Sequence, residues 1–446
     1  MNIEFLIERF KSNQDKEAII SKGRSILYSE FLTLIEGTRN ELAVGLRPGS
    51  VVALEADFSP KSVAALLTLI SSNCIFVPQA RGHAAHKEEF YTKCQIEQKV
   101  IVHPDDSISI ESISSEVSQP LLQAIKTKGT PGLILYSSGS SGLSKVIVHD
   151  FVPMLEKYRE ARRPSRIMTF LLFDHWGGIN TALHSLASGG TIITIQERSP
   201  EAICAAIQQH RVEIMPVTPT FINLLLLSEA FERYDLSSLK LITYGTEVMP
   251  ESTLKRLSKV FPNLKLKQTY GLSEIGVLPT QSESNNSLWL KIGGNGFETR
   301  VRDGLLEIKS ASSMLGYLDM PSPFTEDGWL MTGDAVEEKD GYIKIVGRRS
   351  EVINVGGQKV HPAEVESVLL QMPGIIEVAV SGKPNPITGQ MVYARVRLAD
   401  PLENLPMFRA RMATFCKERL SRYKIPQKVE LVRGDLHSDR FKKLRV

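Results

Sequence analysis

The stretch LILYSSGSSGLSKVIVHD (residues 133–150) governs how the rest of the chain is read. An apolar run, Leu133 to Tyr136, enters a segment built only of serine and glycine, Ser137 to Gly142. Lys145 and a second apolar run follow. Gly139 and Gly142 permit positive φ and close approach of the backbone to a ligand. Successive N–H groups in such a turn form an anion-binding concavity. The hydroxyls of Ser137, Ser138, Ser140 and Ser141 add donors, and Lys145 adds a point charge. The pattern predicts a polyphosphate-binding loop between two strands. It is not the G-x-x-x-x-G-K-[ST] loop of P-loop proteins, because Gly139, Gly142 and Lys145 are three apart each time. A plain flexible linker is the alternative; the flanking strands and the lysine speak against it.

Outward from this loop the chain alternates strands and helices. SVVAL (50–54) reads as a buried strand. SPKSVAALLTLISSN (59–73) reads as a helix, with Ser59 as cap and Pro60 in the first turn. CIFVPQ, RIMTFLLF (166–173) and TIITI (191–195) read as strands, and INTALHSLASGG (179–190) and PEAICAAIQQHRV (200–212) as helices. This rhythm predicts an α/β fold with helix-covered, mostly parallel sheets. From about residue 286 Asp-Gly turns between short alternating strands predict a β-rich subdomain. The remainder alternates helix and strand: HPAEVESVLLQMPG, IIEVAVSG, MVYARVRLA, NLPMFRARMATFCKERL and QKVELV. It predicts a small α+β unit. The boundary is expected between residues 348 and 349, giving a core of 1–348 and a mobile C-terminal lid of 349–446.

At 446 residues the chain is too long for one ordinary core. A net charge of +3, with Lys and Arg scattered, offers no nucleic-acid footprint. Cys74, Cys94, Cys204 and Cys416 are far apart without metal-ligand spacing, which predicts reduced thiols and a cytoplasmic setting. No run of apolar residues is long enough to span a membrane, and the acidic start MNIEFLIERFKSNQDKEAII lacks a signal-peptide core.

Three further stretches carry chemistry. In QTYGLSEIG (268–276), Tyr270 offers an aromatic face for a planar base and Gly271 a tight turn. Ser273 and Glu274 offer oxygen ligands to a hard cation such as Mg²⁺. In DGWLMTGDAVEEKDGYIKIVGRR (327–349), Asp334 is placed to accept two ribose hydroxyls, and Arg348 to reach the same sugar or a phosphate. LHSDRFKKLRV ends the chain with the pair Lys442-Lys443. Taken singly, each of these charges reads as a solvated loop residue.

In this order and spacing the stretches resemble the adenylate-forming superfamily: acyl- and aryl-CoA ligases, peptide-synthetase adenylation domains and luciferases. YSSGSSGLSKV resembles the superfamily's phosphate loop, and YGTEVMP (244–250) with QTYGLSE its adenine and Mg²⁺ segment. GWLMTGD resembles its ribose motif, GRRSEVINVGGQKVHPAEVE its hinge and lid start, and YKIPQKVELV the approach to its catalytic lysine. The resemblance spans essentially the whole chain. It implies an AMP-forming acid–thiol ligase that uses ATP and Mg²⁺, converts a carboxylic acid to an acyl-adenylate with release of pyrophosphate, and passes the acyl group to a thiol.

On that resemblance the Ser/Gly loop and Lys145 hold the β- and γ-phosphates. Glu274 holds Mg²⁺, Tyr270 and Gly271 border adenine with Gly245, Thr246 and Glu247 on its other side, and Asp334 and Arg348 bind ribose. Aligning Leu436 with the leucine of the family motif L-P-x-T-x-x-G-K makes Lys443 the catalytic lysine, with Lys442 as fallback. Ser350 stands at the hinge, where the family has Asp or Lys. Gly357 lies where the family admits pantetheine, from CoA or from a separate acyl or peptidyl carrier protein. His175 falls where CoA ligases carry a gating residue. Asp174, Trp176, Gly178 and Tyr244 are the remaining pocket candidates. Asp174 lies two residues out of register for the aspartate that pairs an α-ammonium, which favours an acid without an α-amine over an amino acid loaded onto a carrier. A catalytically degenerate nucleotide-binding scaffold and a luciferase-like monooxygenase complete the alternatives.

Overall fold

The computed structural model describes residues 2–81, 87–113, 116–138 and 144–445. The first sheet has seven strands in the order Lys265–Gln268, Leu241–Tyr244, Ile214–Val217, Arg166–Thr169, Thr191–Thr194, Glu17–Ser21, Arg24–Leu27. All neighbours are parallel except the last pair. The second sheet also has seven: Gly316–Tyr317, Ser144–Asp150, Gly132–Ser138, Ile75–Gln79, Val51–Glu55, Gln98–Val102, Ile108–Ser112. Its inner strands are parallel and its margins antiparallel.

The local chemistry acts as the sequence predicts. Ser59 Oγ accepts from Ser62 N at 3.1 Å and Pro60 opens the helix Pro60–Ser71, whose apolar residues are almost all buried between the layers. The strand expected over 166–173 stops at Thr169, and the following helix starts at Trp176, earlier than the periodicity indicates. Those intervening residues become the loop that carries Asp174 and His175.

The β-rich part is a six-stranded antiparallel sheet in which Leu330–Lys339 pairs with Tyr342–Arg348 and with Leu305–Ser310. Asp303-Gly304 and Asp340-Gly341 have positive φ at both residues, as a two-residue hairpin requires. This hairpin register sets Asp334 directly opposite Arg348.

Beyond Arg349–Glu351, a single 3₁₀ turn holding Ser350, the chain builds a five-stranded sheet with the helices Pro362–Leu369 and Leu405–Lys417. Ile353, Val365, Val380, Val396, Phe408 and Met412 share a hydrophobic cluster of their own. Asn223 Nδ2 donates to Ile376 O at 2.9 Å and Ser252 Oγ to Ser367 O at 3.1 Å, seating this unit on the helices of the first sheet. All four cysteines are buried and free. Among the described residues no helix is long and apolar enough to cross a membrane.

Candidate active site

The strands Gly132–Ser138 and Ser144–Asp150 form an antiparallel pair, with Ser137 opposite Lys145 and Ser138 opposite Ser144. The predicted phosphate loop therefore falls between two paired strands. Gly139, Ser140, Ser141 and Gly142 lie outside the described residues. Lys145 Nζ sits over the Tyr317 ring, 5.1 Å from its centroid, and 3.4 Å from its hydroxyl. That hydroxyl donates to Glu274 Oε1 at 2.8 Å. Lys145 and Glu274, distant in sequence, thus meet through a tyrosine that sequence reasoning missed. Tyr317 lies on a two-residue strand without periodicity, so it gives no local signal.

The backbone around Glu274 is held from two sides. His149 Nε2 donates to Ser273 O at 2.7 Å and Met314 N donates to Glu274 O at 2.8 Å. Burial pulls the His149 imidazole down to about 4, so it is a neutral strut. The Ser273 carbonyl is occupied by this contact. The Glu274 carboxylate is a hard oxygen donor suited to Mg²⁺.

Asp334 is buried. Tyr270 Oη donates to its Oδ2 at 2.6 Å and Arg348 Nε lies 3.2 Å from its Oδ1. Burial pushes the carboxyl above its ordinary range, against the pull of Arg348 and the tyrosine hydroxyl. Tyr270 is itself 7% exposed, so most of its ring is core and its hydroxyl orients Asp334. Gly271 is fixed by strand pairing, since a Cβ there would fall 2.6 Å from Gly276 O. Gly245 is fixed likewise: a Cβ would fall 2.4 Å from Thr269 Oγ1. The next residue, Thr246, has φ +71°, a conformation strained for a β-branched side chain. Glu247 is occupied by Thr220 Oγ1 at 2.7 Å and by the backbone N–H of Lys443, which makes its side chain a tether between core and C-terminus.

The loop before Trp176–Ala187 supplies the other wall. His175 caps that helix, with Nδ1 accepting from Gly177 N at 3.0 Å. Burial, then Lys442 and Arg440, hold its imidazole well below the usual range, so it is neutral. Asp174 is engaged by Arg440 at 2.7 Å. Two expected pocket residues are structural. A Cβ on Gly178 would lie 2.2 Å from Leu172 O, so this glycine allows the helix to meet the preceding loop. Tyr244 is 1% exposed, within the core between the first sheet and its outer helices. Trp176 is buried against Gly276 and Phe151.

The final residues form a tight hairpin: Leu444 N donates to Leu436 O and Ser438 N to Lys442 O, each at 2.8 Å. Its tip enters the core. Phe441 lies 5.3 Å from Phe170 and 5.5 Å from Phe221, and Thr218 Oγ1 donates to its carbonyl at 2.9 Å. Lys443, the expected catalytic lysine, is engaged by the lid in this structure. Its Nζ turns into the lid and pairs with the buried Glu366 at 3.0 Å, beside Arg445. Lys442 faces the site instead. Burial, followed by Arg440, pulls it down to about 8, with Glu247 and Glu274 opposing and Arg348 assisting. No carboxylate among the described residues pairs with its Nζ. Phe441, just before the pair, turns the chain at φ +51°, and the two lysines leave it in different directions. Gly357 occupies the tip of the hairpin Ile353–Val360 with φ +85°, following Gly356 at +58°, and is exposed, away from these groups.

The buried aspartate beside an arginine, the glutamate reached through Tyr317 from Lys145 and a lysine delivered by the terminal hairpin make up the candidate site. The sequence model of the AMP-binding enzyme family matches residues 6–294, and that of the AMP-binding enzyme C-terminal domain residues 364–443. The chain belongs to the AMP-binding enzymes. Within this adenylate-forming superfamily it is 28% identical to an indoleacetate–CoA ligase of Aromatoleum aromaticum over 67% of this chain and 63% of that protein, so it spans less than two thirds of that relative. It is 24% identical to a 2-succinylbenzoate–CoA ligase of Bacillus licheniformis, over 96% of this chain and 95% of the relative. The fold matches the crystal structure of an anthranilate CoA ligase in complex with anthranoyl-AMP, with a TM-score of 0.81 at 19% identity, covering 100% of this chain and 95% of the other.

Proposed function

We propose that this AMP-binding enzyme is an acid–thiol ligase. A carboxylate oxygen attacks the α-phosphorus of ATP, the bond to the β-phosphate oxygen breaks, and pyrophosphate leaves. A thiolate then attacks the acyl carbon and AMP departs. The observation that carries this reading is the position of Lys442, which stands without a carboxylate partner among Glu274, Arg348 and Glu247. A cation there offsets the charge of two anions brought together, the main task of the protein in such a transfer. Asp334, oriented by Tyr270 and Arg348, binds the ribose hydroxyls. Lys145 and the Ser/Gly loop hold the outer phosphates. Glu274 holds Mg²⁺, which neutralises phosphate charge when bound. Neutral His175 borders the acid.

Asp174 is committed to Arg440, which favours an acid without an α-amine. The thiol is CoA or the phosphopantetheine of a separate carrier protein. For either one, the lid turns about Ser350 to bring Gly357 inward. The four reduced cysteines accord with a cytoplasmic enzyme. ATP–pyrophosphate exchange with a panel of carboxylic and amino acids, followed by CoA, tests the reading. Exchange that depends on an added acid supports it. Nucleotide binding without exchange for any acid makes the protein a scaffold.

A further inference from the structure

The segment 314–317 grips Glu274 at two points. Met314 N donates to its carbonyl at 2.8 Å, and Tyr317 Oη to its carboxylate, also at 2.8 Å. The segment is itself fixed by pairing to the strand Ser144–Asp150. Tyr317 lies opposite Ile147, Leu315 N donates to Val148 O at 2.8 Å and Leu318 N to Val146 O at 3.0 Å. Lys145 and Ile147 fall on one face of that strand, so the lysine is the diagonal neighbour of Tyr317, a distance that a long side chain and a ring can bridge. Its Nζ stands over the ring, 5.1 Å from the centroid, and donates to the phenol oxygen at 3.4 Å. One hydroxyl thus accepts from a cation and donates to a carboxylate. Burial, then the Glu274 charge, push the phenol above its ordinary range, so it keeps its proton. Among the described residues neither Lys145 nor Glu274 forms a salt bridge, with the other or with any third group.

Opposite charges this close in a partly buried site attract strongly and pair unless something stands between them. On the adenylation reading the two belong to different ligands, Lys145 to the outer phosphates and Glu274 to Mg²⁺. Paired with each other, both would have to be freed before ATP and the metal bind. We propose that Tyr317 is a positioning residue that keeps Lys145 and Glu274 apart, its ring carrying the lysine and its hydroxyl aiming the carboxylate. A cation on an aromatic face gives up little when a phosphate takes it. A carboxylate that accepts from the phenol through Oε1 keeps Oε2 for the metal. The role rests on the adenylation reading above and deepens it on the metal and phosphate side.

The test is calorimetric titration of the full chain with ATP, without any acid, in the presence and absence of Mg²⁺. Tyr317→Phe keeps the ring and deletes the hydrogen bond to Glu274. It should cut the gain in ATP affinity that Mg²⁺ brings by about tenfold, as for the loss of a hydrogen bond to a charged group. Affinity without Mg²⁺ should stay within about twofold of wild type, because the ring still carries Lys145. Tyr317→Leu removes the spacer, so Lys145 and Glu274 should pair and affinity without Mg²⁺ should fall about fivefold. Adding Glu274→Gln to Tyr317→Leu abolishes that pair and should restore affinity without Mg²⁺, a recovery that a merely structural defect would not show. Tyr317→Phe removes a single oxygen and carries the test if Tyr317→Leu does not fold. A Mg²⁺ gain unchanged in Tyr317→Phe overturns the inference. So does an affinity that Tyr317→Leu leaves unchanged, or a loss that Glu274→Gln does not restore. Wild-type protein that binds no ATP overturns the adenylation reading beneath it.

Discussion

Asp174 Oδ2 and Arg440 Nη2 stand 2.7 Å apart although 266 residues separate them in the chain. The contact joins the loop before the Trp176–Ala187 helix to the tip of the terminal hairpin. Phe441, inserted beside Phe170 and Phe221, seats the same tip, and together they hold Lys442 toward the nucleotide groups. Asp174→Asn should weaken this seating by about 1.5–3 kcal/mol, the worth of a hydrogen bond to a charged group. Pyrophosphate exchange should slow while thioester formation from pre-made acyl-adenylate is spared. In a double-mutant cycle with Arg440→Met the losses should be strongly non-additive. Additive losses, or equal damage to both half-reactions, would remove the pair from lid docking.

The ribose site predicts a graded pair of effects. Tyr270→Phe deletes the hydroxyl that orients Asp334 and should raise KM for ATP by about fivefold, roughly 1 kcal/mol. Asp334→Ala removes the acceptor itself and should raise it further. A Tyr270→Phe enzyme with wild-type KM for ATP would mean that Asp334 is positioned by Arg348 alone.

The lysine at the site sets a pH limb. Lys442 is depressed to about 8 in the free enzyme, mainly by burial and then by Arg440. Its charge is present below that pH and lost above it, so kcat/KM for ATP should fall as pH rises through about 8. Arg440→Met removes a repelling cation and should move the limb upward. A limb that stays in place would deny that Lys442 governs it.

Glu366 is the anchor of the lid. It is almost fully buried, accepts from Val380 N at 2.9 Å and pairs with both Lys443 and Arg445. Against burial, those two cations hold it down to about 2, below its ordinary 4.5. Its contribution to stability is therefore full above its ordinary value and lost as pH falls through about 2. Glu366→Gln leaves two partly buried cations on a neutral amide and should cost about 3–5 kcal/mol, seen as a lowered unfolding midpoint. An unchanged midpoint would show that the cations rearrange into solvent.

Much of this was legible in the sequence because local chemistry agrees with the tertiary fold. Ser59-Pro60 starts its helix, the Asp-Gly turns close their hairpins, and Asp334 and Arg348 meet because one hairpin places them in register. What could not be read depends on contacts between distant segments. Tyr317 bridges Lys145 and Glu274 from a strand of two residues. Gly178 looked like a pocket residue because the backbone it nearly touches, Leu172 O, is invisible in a pattern. Lys443 was preferred to Lys442 by counting along a family motif. Counting along a motif cannot show which way each of two adjacent side chains points; here Lys443 meets Glu366 while Lys442 lies near Glu247 and Glu274.

The choice between the two lysines is the sharpest point of the account, and ATP–pyrophosphate exchange in two single variants tests it most directly. Lys442→Ala should abolish exchange with the preferred acid while AMP still binds. Lys443→Ala should retain exchange and lose only stability, through Glu366. Exchange that survives Lys442→Ala and disappears in a folded Lys443→Ala enzyme would contradict the account.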